Sequence, residues 1–204
     1  MKAESVAFAV AGMCFGVILG WVLASQDANR SRDFQPAQTP APAAAPAAAN
    51  PQQAPPLDTE RVRALQAAVE KNPRDAGSYA LLGNTYFDAE HWPEAIEAYK
   101  RSLAIEPDNP DVSTDLGVSY YYTNRADEAL AQFEHSLKVS PNHTKTLLNK
   151  GIVLAFGKEN LDAAAETWKK LVEISPDSAE GQAARRALEG VAAAHARQGA
   201  TTNQ

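Results

Sequence analysis

One cysteine and four histidines are the residues of this 204-residue chain best suited to nucleophilic, redox or metal chemistry, and their placement supports none of it. Cys14 stands alone, so no internal disulfide can form, and it lies in an uncharged apolar run where a thiol acts as a small filler. His91, His135, His143 and His195 lack metal-ligand spacing, and no CxxC or Cys/His cluster accompanies them. His91 and His143 fall in predicted turns and His135 on a predicted helix surface, so solvated side chains are expected. GxSxG, HExxH and glycine-rich phosphate loops are missing from the sequence. Asn142-His143-Thr144 is formally a glycosylation acceptor, but it follows Pro141 in a turn, where Asn and Thr serve as turn and cap residues. No catalytic residue, metal or cofactor is expected.

Charge narrows the partner class. Nineteen basic against 25 acidic side chains leave a net charge of −6, and residues 1–56 carry equal numbers of each sign. The folded part is therefore acidic, and a nucleic-acid partner is not expected. What remains is recognition by apolar surface, and the run Tyr120-Tyr121-Tyr122 is its clearest sign. At about 100° per residue, three neighbours on one helix cannot all face the same core.

Three kinds of segment must position those side chains. Residues 5–24, SVAFAVAGMCFGVILGWVLA, are twenty uncharged residues, enough for a helix to cross about 30 Å of hydrocarbon. Trp21 suits the headgroup level, and Asp27, Arg30 and Arg32 follow in water. The alternative is a cleaved signal ending near Ala24, against which the length of the run argues. Gly12, Gly16 and Gly20 share one face of this helix, where a second backbone could approach, so a homodimer through the membrane is one expectation. Positive charges are nearly balanced across the run, with Lys2 before it and Arg30 and Arg32 after it, and the short amino-terminal tail suggests a single-pass protein whose soluble part is extracytoplasmic (periplasmic). Residues 35–56 contain seven prolines and nine alanines with no charge or aromatic group, which reads as an extended spacer without a core.

From Leu57 onward the chain repeats itself at a shift of 34. Gly83, Gly117 and Gly151 coincide, as do Tyr86, Tyr120 and Leu154, and Pro73, Pro107 and Pro141. After one inserted residue near Asn160 the alignment resumes with Ala95, Ala129 and Ala164, then Tyr99, Phe133 and Trp168, then Leu103, Leu137 and Val172, and Pro176 closes the series. Each unit reads as two amphipathic helices, with a polar break such as 88–92 between them and proline ending the second. The glycine and the alanine permit close approach of the two helices, and the aromatic fills the space between layers. The insertion should distort the inner turn of the third unit.

The pattern resembles the tetratricopeptide repeat. The first unit carries Tyr79, Leu82-Gly83, Tyr86, Ala95, Tyr99 and Pro107, the second Leu116-Gly117, Tyr120, Ala129, Phe133 and Pro141 with Ser113 in the first aromatic place, and the third Leu147, Lys150-Gly151, Leu154, Ala164, Trp168 and Pro176. The resemblance implies an all-α fold, a tetratricopeptide superhelix (an α-solenoid of helix pairs) behind an N-terminal transmembrane helix and a Pro/Ala-rich linker. The expected organisation is a tail at 1–4, a transmembrane helix at 5–24, a disordered linker at 25–56 and a capping half repeat at 57–75. Repeats follow at 76–109, 110–143 and 144–178, then a capping helix at 179–197 with Ala184, Ala187, Leu188 and Val191 as its apolar stripe, and a disordered tail at 198–204.

In proteins with this repeat the first helix of each unit lines a concave groove. Carried onto this sequence, the groove residues are Asn84, Phe87, Val118, Tyr121, Tyr122, Lys145, Leu148, Ile152 and Phe156, with Ala80, Asp88 and Thr114 on the same faces. The expected partner is a polypeptide or protein held by a membrane-anchored, non-catalytic adaptor. Some relatives grip a terminal carboxylate with Lys, Arg and Asn. Here Asn84 and Lys145 match two such places, but Ala80, Asp115 and Asn149 hold the others, and Asp115 would repel a carboxylate. The anchor, the upstream half repeat, the NPRD turn at Asn72 and the ETWKKL segment around Trp168 are also similar to the membrane-anchored repeat factors of cytochrome c biogenesis, which present apocytochrome. A homo-oligomeric envelope-assembly scaffold without a peptide ligand is the competing expectation.

Overall fold

Short polar side chains start most of the helices. Asp58 accepts from the Arg61 N–H at 2.9 Å and opens α1 (Thr59–Lys71). Asp75 opens α2 (Ala76–Asp88), accepting from the Ser78 hydroxyl at 2.7 Å and the Ser78 N–H at 3.0 Å, which holds its carboxyl below the usual range. Asn109 opens α4 (Pro110–Tyr122) through the Val112 N–H at 3.1 Å, and Asn160 opens α7 (Leu161–Ile174) through the Ala163 N–H at 3.0 Å. Between these run α3 (Trp92–Ile105), α5 (Ala126–Val139) and α6 (Thr144–Ile152), and α8 (Ala179–Thr201) closes the chain. The structure, a computed structural model, describes residues 54–201, with side chains through 196. The predicted membrane helix at 5–24, with Gly12, Gly16 and Gly20, lies outside the described residues, as do the linker up to residue 53 and residues 202–204. Among the described residues there is no strand, and no helix is long and apolar enough to cross a membrane.

The described residues fold as a stack of helix pairs: α2 with α3, α4 with α5, and α6 with α7, each pair packed on the next, α1 against α2 and α8 against α7. The glycine and alanine series explain the pairing. A β-carbon at Gly83 or Gly117 would come within 2.5 Å of the Tyr99 or Phe133 ring, and one at Gly151 would overlap the Trp168 indole. Ala95, Ala129 and Ala164 are fully buried on the facing helices. Each ring is thus laid flat against a bare stretch of backbone.

The turn after each first helix contains a residue in the left-handed region: Glu90 at φ 60°, Asn124 at φ 62° and Glu159 at φ 52°. In the first two turns the chain reverses through paired bonds, His91 N–H to the Tyr86 carbonyl and Arg125 N–H to the Tyr120 carbonyl, both 2.9 Å. The third turn contains the extra residue. The sequence alignment places it near Asn160, whereas the structure absorbs it earlier, in a π-helical turn at Val153–Gly157. There the Lys158 N–H reaches back five residues to the Val153 carbonyl at 3.0 Å, and the Asn160 N–H reaches Leu154 at 2.8 Å. Widening the helix lets α7 begin in register, so Trp168 still meets Gly151.

Between the second and third pairs lies a knot of hydroxyls. Thr146 Oγ1 is 2.6 Å from Thr114 Oγ1 and 2.7 Å from Ser136 Oγ, while Thr114 and Ser136 both donate to the Pro110 carbonyl at 2.7 and 3.0 Å. Thr114, expected on the groove, is therefore fully buried, because its hydroxyl is held by this knot. The closing helix keeps its predicted stripe, with Ala184 and Val191 buried and Ala187 and Leu188 packed beside them. It runs on to Thr201, past the expected end at 197 and into the segment expected to lack structure, because residues 192–198 are rich in alanine, the best helix former.

Candidate functional site

The first helices α2, α4 and α6 carry the residues assigned to the groove, and the structure sorts them into a polar floor and an aromatic rim. On the floor, Tyr99 donates its hydroxyl to Asn84 Oδ1 at 2.7 Å, and Lys145 Nζ lies 2.6 Å from Asp115 Oδ1. Burial pushes the Tyr99 hydroxyl upward, with the carboxylates of Asp115 and Asp88 adding to the effect. Burial likewise raises the Asp115 carboxyl, against the opposing pull of the Lys145 ammonium. A carboxyl whose folded pKa lies above its unfolded one favours folding at acid pH, and that contribution is lost as the pH rises through the folded value. At neutral pH the ionised Asp115 therefore opposes folding, and Lys145 offsets only part of this. Val118 packs beside the core of the first two pairs, and Leu148 and Ile152 beside that of the third.

At the rim, where the first helices end, aromatic rings meet. Tyr122 stacks on Trp92 with centroids 4.3 Å apart and planes 14° from parallel, and Phe87 meets Trp92 edge-on at 4.9 Å and Tyr122 at 6.4 Å. Tyr121 is 5.9 Å from Tyr122 and is partly buried against the core, and a β-carbon on Gly157 would lie 3.2 Å from its ring. The surplus tyrosines thus pack on neighbouring helices. Tyr122 remains 40 % exposed and Phe156, in the π-helical turn, 47 %.

Two contributors escaped the sequence reading. Trp92 was absorbed into the polar break between helices, although an aromatic immediately after a turn is what could have marked it. Leu81, 44 % exposed, sits one repeat before Asp115 and so shares its side of the helix. The histidines also need correction. His143 is not solvated: its Nδ1 is 2.6 Å from Thr146 Oγ1 and its Nε2 is 3.3 Å from Asp111 Oδ1. Ser113, in the place of the first aromatic, is buried with its hydroxyl 3.0 Å from His135 Nδ1 and 3.2 Å from Gln132 Oε1. Among the described residues no group of His, Cys, Asp and Glu is placed to hold a metal ion.

The terminal-carboxylate grip has no free cation here. Lys145 is paired with Asp115, and the Asn149 amide donates to the Lys145 carbonyl at 2.8 Å within its own helix.

Known proteins agree with this architecture. A family model described as a TPR repeat matches residues 83–123, and one described as the tetratricopeptide repeat matches residues 114–179. Tetratricopeptide repeats are thus matched across residues 83–179, and such repeats are typically non-catalytic protein-interaction modules. Among solved structures, a crystal structure of MamA protein is similar at TM-score 0.54 and 24% identity, over 60% of this chain and 66% of that one. This chain thus spans just under two thirds of that structure's length. The first TPR of Spaghetti (RPAP3), bound to the HSP90 peptide SRMEEVD, is similar at TM-score 0.54 and 23% identity, over 59% of this chain and 95% of that one. The first TPR domain of human RPAP3 matches at TM-score 0.55 and 23% identity, over 62% and 96%. At such identities the likeness is one of fold. No curated protein matches the chain.

Proposed function

We propose that the chain is a non-catalytic adaptor that holds an extended polypeptide along the face formed by α2, α4 and α6. The observation that carries this reading is the exposure of three large apolar side chains on that face: Leu81 at 44 %, Tyr122 at 40 % and Phe156 at 47 %. They come from three successive repeats, so a ligand touching all of them must run along the stack. The pairing of Lys145 with Asp115 argues that the ligand is held through its side chains and not by a terminal carboxylate. The apolar run at 5–24 would tether the repeats to a membrane on its extracytoplasmic side, with residues 25–56 as the spacer.

A photoreactive benzoylphenylalanine replacing Leu81 or Phe156 in the full-length chain, activated in the native membrane, is expected to give polypeptide adducts. The same group at Lys100 or Glu173, exposed on second helices, should give few. Equal yields from all four positions would remove the face from the reading. The tether is checked on the same membranes: the chain should stay in the pellet after washing at high pH, and its appearance in the supernatant would count against an anchor at 5–24.

A further inference from the structure

In the second repeat the tyrosine at the end of the first helix carries its own cation and carboxylate. Arg125 lies over the Tyr120 ring, 4.4 Å from its centroid, and pairs with Glu128 at 2.9 Å. One repeat earlier, His91 approaches Tyr86 at 6.2 Å between ring centroids and lies 3.7 Å from Glu94. Tyr122 has the ring and the carboxylate without the cation. One side of the ring is stacked on Trp92, and 40 % of the residue is still exposed. The Glu90 carboxylate is near enough to Tyr122 to raise its phenol, behind the larger effect of burial. Glu90 itself is exposed, held at φ 60° at the tip of its turn, and among the described residues it forms no ion pair.

We propose that the polypeptide held on this face presents an arginine or lysine whose cation lies on the Tyr122 ring and pairs with Glu90, with an apolar neighbour resting on the exposed rim beside it. This rests on the adaptor reading and specifies its ligand. A stacked aromatic beside a carboxylate attracts a cation through the ring quadrupole and the charge together. The arrangement is the one that Arg125 completes for Tyr120 within the chain itself. The acidity of the folded part points the same way, since the net charge of −6 falls entirely in residues 57–204.

The probe is a displayed library of random dodecapeptides, selected against the full-length chain in detergent. Selected peptides are expected to carry a basic residue at a fixed distance from an apolar one. Replacing that arginine by its neutral isostere citrulline should weaken binding about five- to tenfold. Against Glu90→Gln the preference for arginine over citrulline should shrink to the part that the ring alone supplies, about two- to threefold, and against Tyr122→Ala both should weaken. Selected peptides without a basic residue, or an arginine preference undiminished by Glu90→Gln, would overturn the cation site and leave the adaptor reading standing. If no peptide binds the wild-type chain, the adaptor reading fails and the cation site fails with it.

Discussion

Phe133→Ala is expected to lower the unfolding free energy of the repeats by about 3 to 5 kcal/mol, the range for emptying a buried aromatic site. Phe133 is fully buried in the cluster that joins the first two pairs, among Leu116, Tyr120 and Ala129. Its ring lies on Gly117, which has no side chain with which to fill the space, and Ala129 beside it is equally short. The cavity should therefore stay open, which places the cost toward the upper end of the range. Denaturant unfolding of residues 54–204, followed by helical circular dichroism, measures it. A loss below about 1 kcal/mol would mean that the layer is not packed as described.

Gly117→Leu approaches the same contact from the other side. A β-carbon at Gly117 would already lie 2.5 Å from the Phe133 ring and 3.1 Å from the Ala129 carbonyl, so a leucine must displace the ring or the helix. Overpacking of this kind costs about 1 to 3 kcal/mol or more, and the better helix propensity of leucine over glycine returns somewhat less than about 1 kcal/mol. A net loss of about 2 kcal/mol is expected. Combined with Phe133→Ala, the leucine can enter the vacated ring site, so the double variant should be more stable than the sum of the two losses implies. Strict additivity would show that Gly117 and Phe133 do not share a contact.

These expectations rest on positions that were legible in the sequence, because a repeat pattern records backbone proximity directly. Glycine facing an aromatic, with alanine on the opposite helix, has one cheap geometric solution, and it recurs at 83, 117 and 151. The site was less legible, because exposure depends on neighbours that the pattern does not encode. Thr114 holds a groove position by register, yet three hydroxyl and carbonyl partners bury it. Tyr121 and Tyr122 fall outside the repeat pattern, but Tyr121 packs against the core and the ring that supports Tyr122 is Trp92, beyond the helix end, where helical periodicity is silent. Lys145 and Asp115 were each noted, but their pairing joins two helices that are distant in sequence. The extra residue of the third unit was visible as a gap, and its site was not, because a widened helical turn leaves no signature that an alignment can place.

The hydroxyl knot between the second and third pairs bears on how such a stack could be reordered. Ser102 and Ser136 occupy equivalent places and donate to equivalent carbonyls, Ala76 at 2.9 Å and Pro110 at 3.0 Å. The residue one repeat before Thr146 is Val112, so the serine of the first repeat is followed by an isopropyl group and that of the second by a hydroxyl. Each joint is keyed to its own neighbour. Splicing the third repeat directly onto the first, or duplicating the second, would set Thr146 or Val112 against the wrong partner. Thr146 brings its own partner His143, and Ser102, Thr114 and Ser136 keep their carbonyls, so a permuted joint loses the match between hydroxyls on facing helices while each hydroxyl retains a bond.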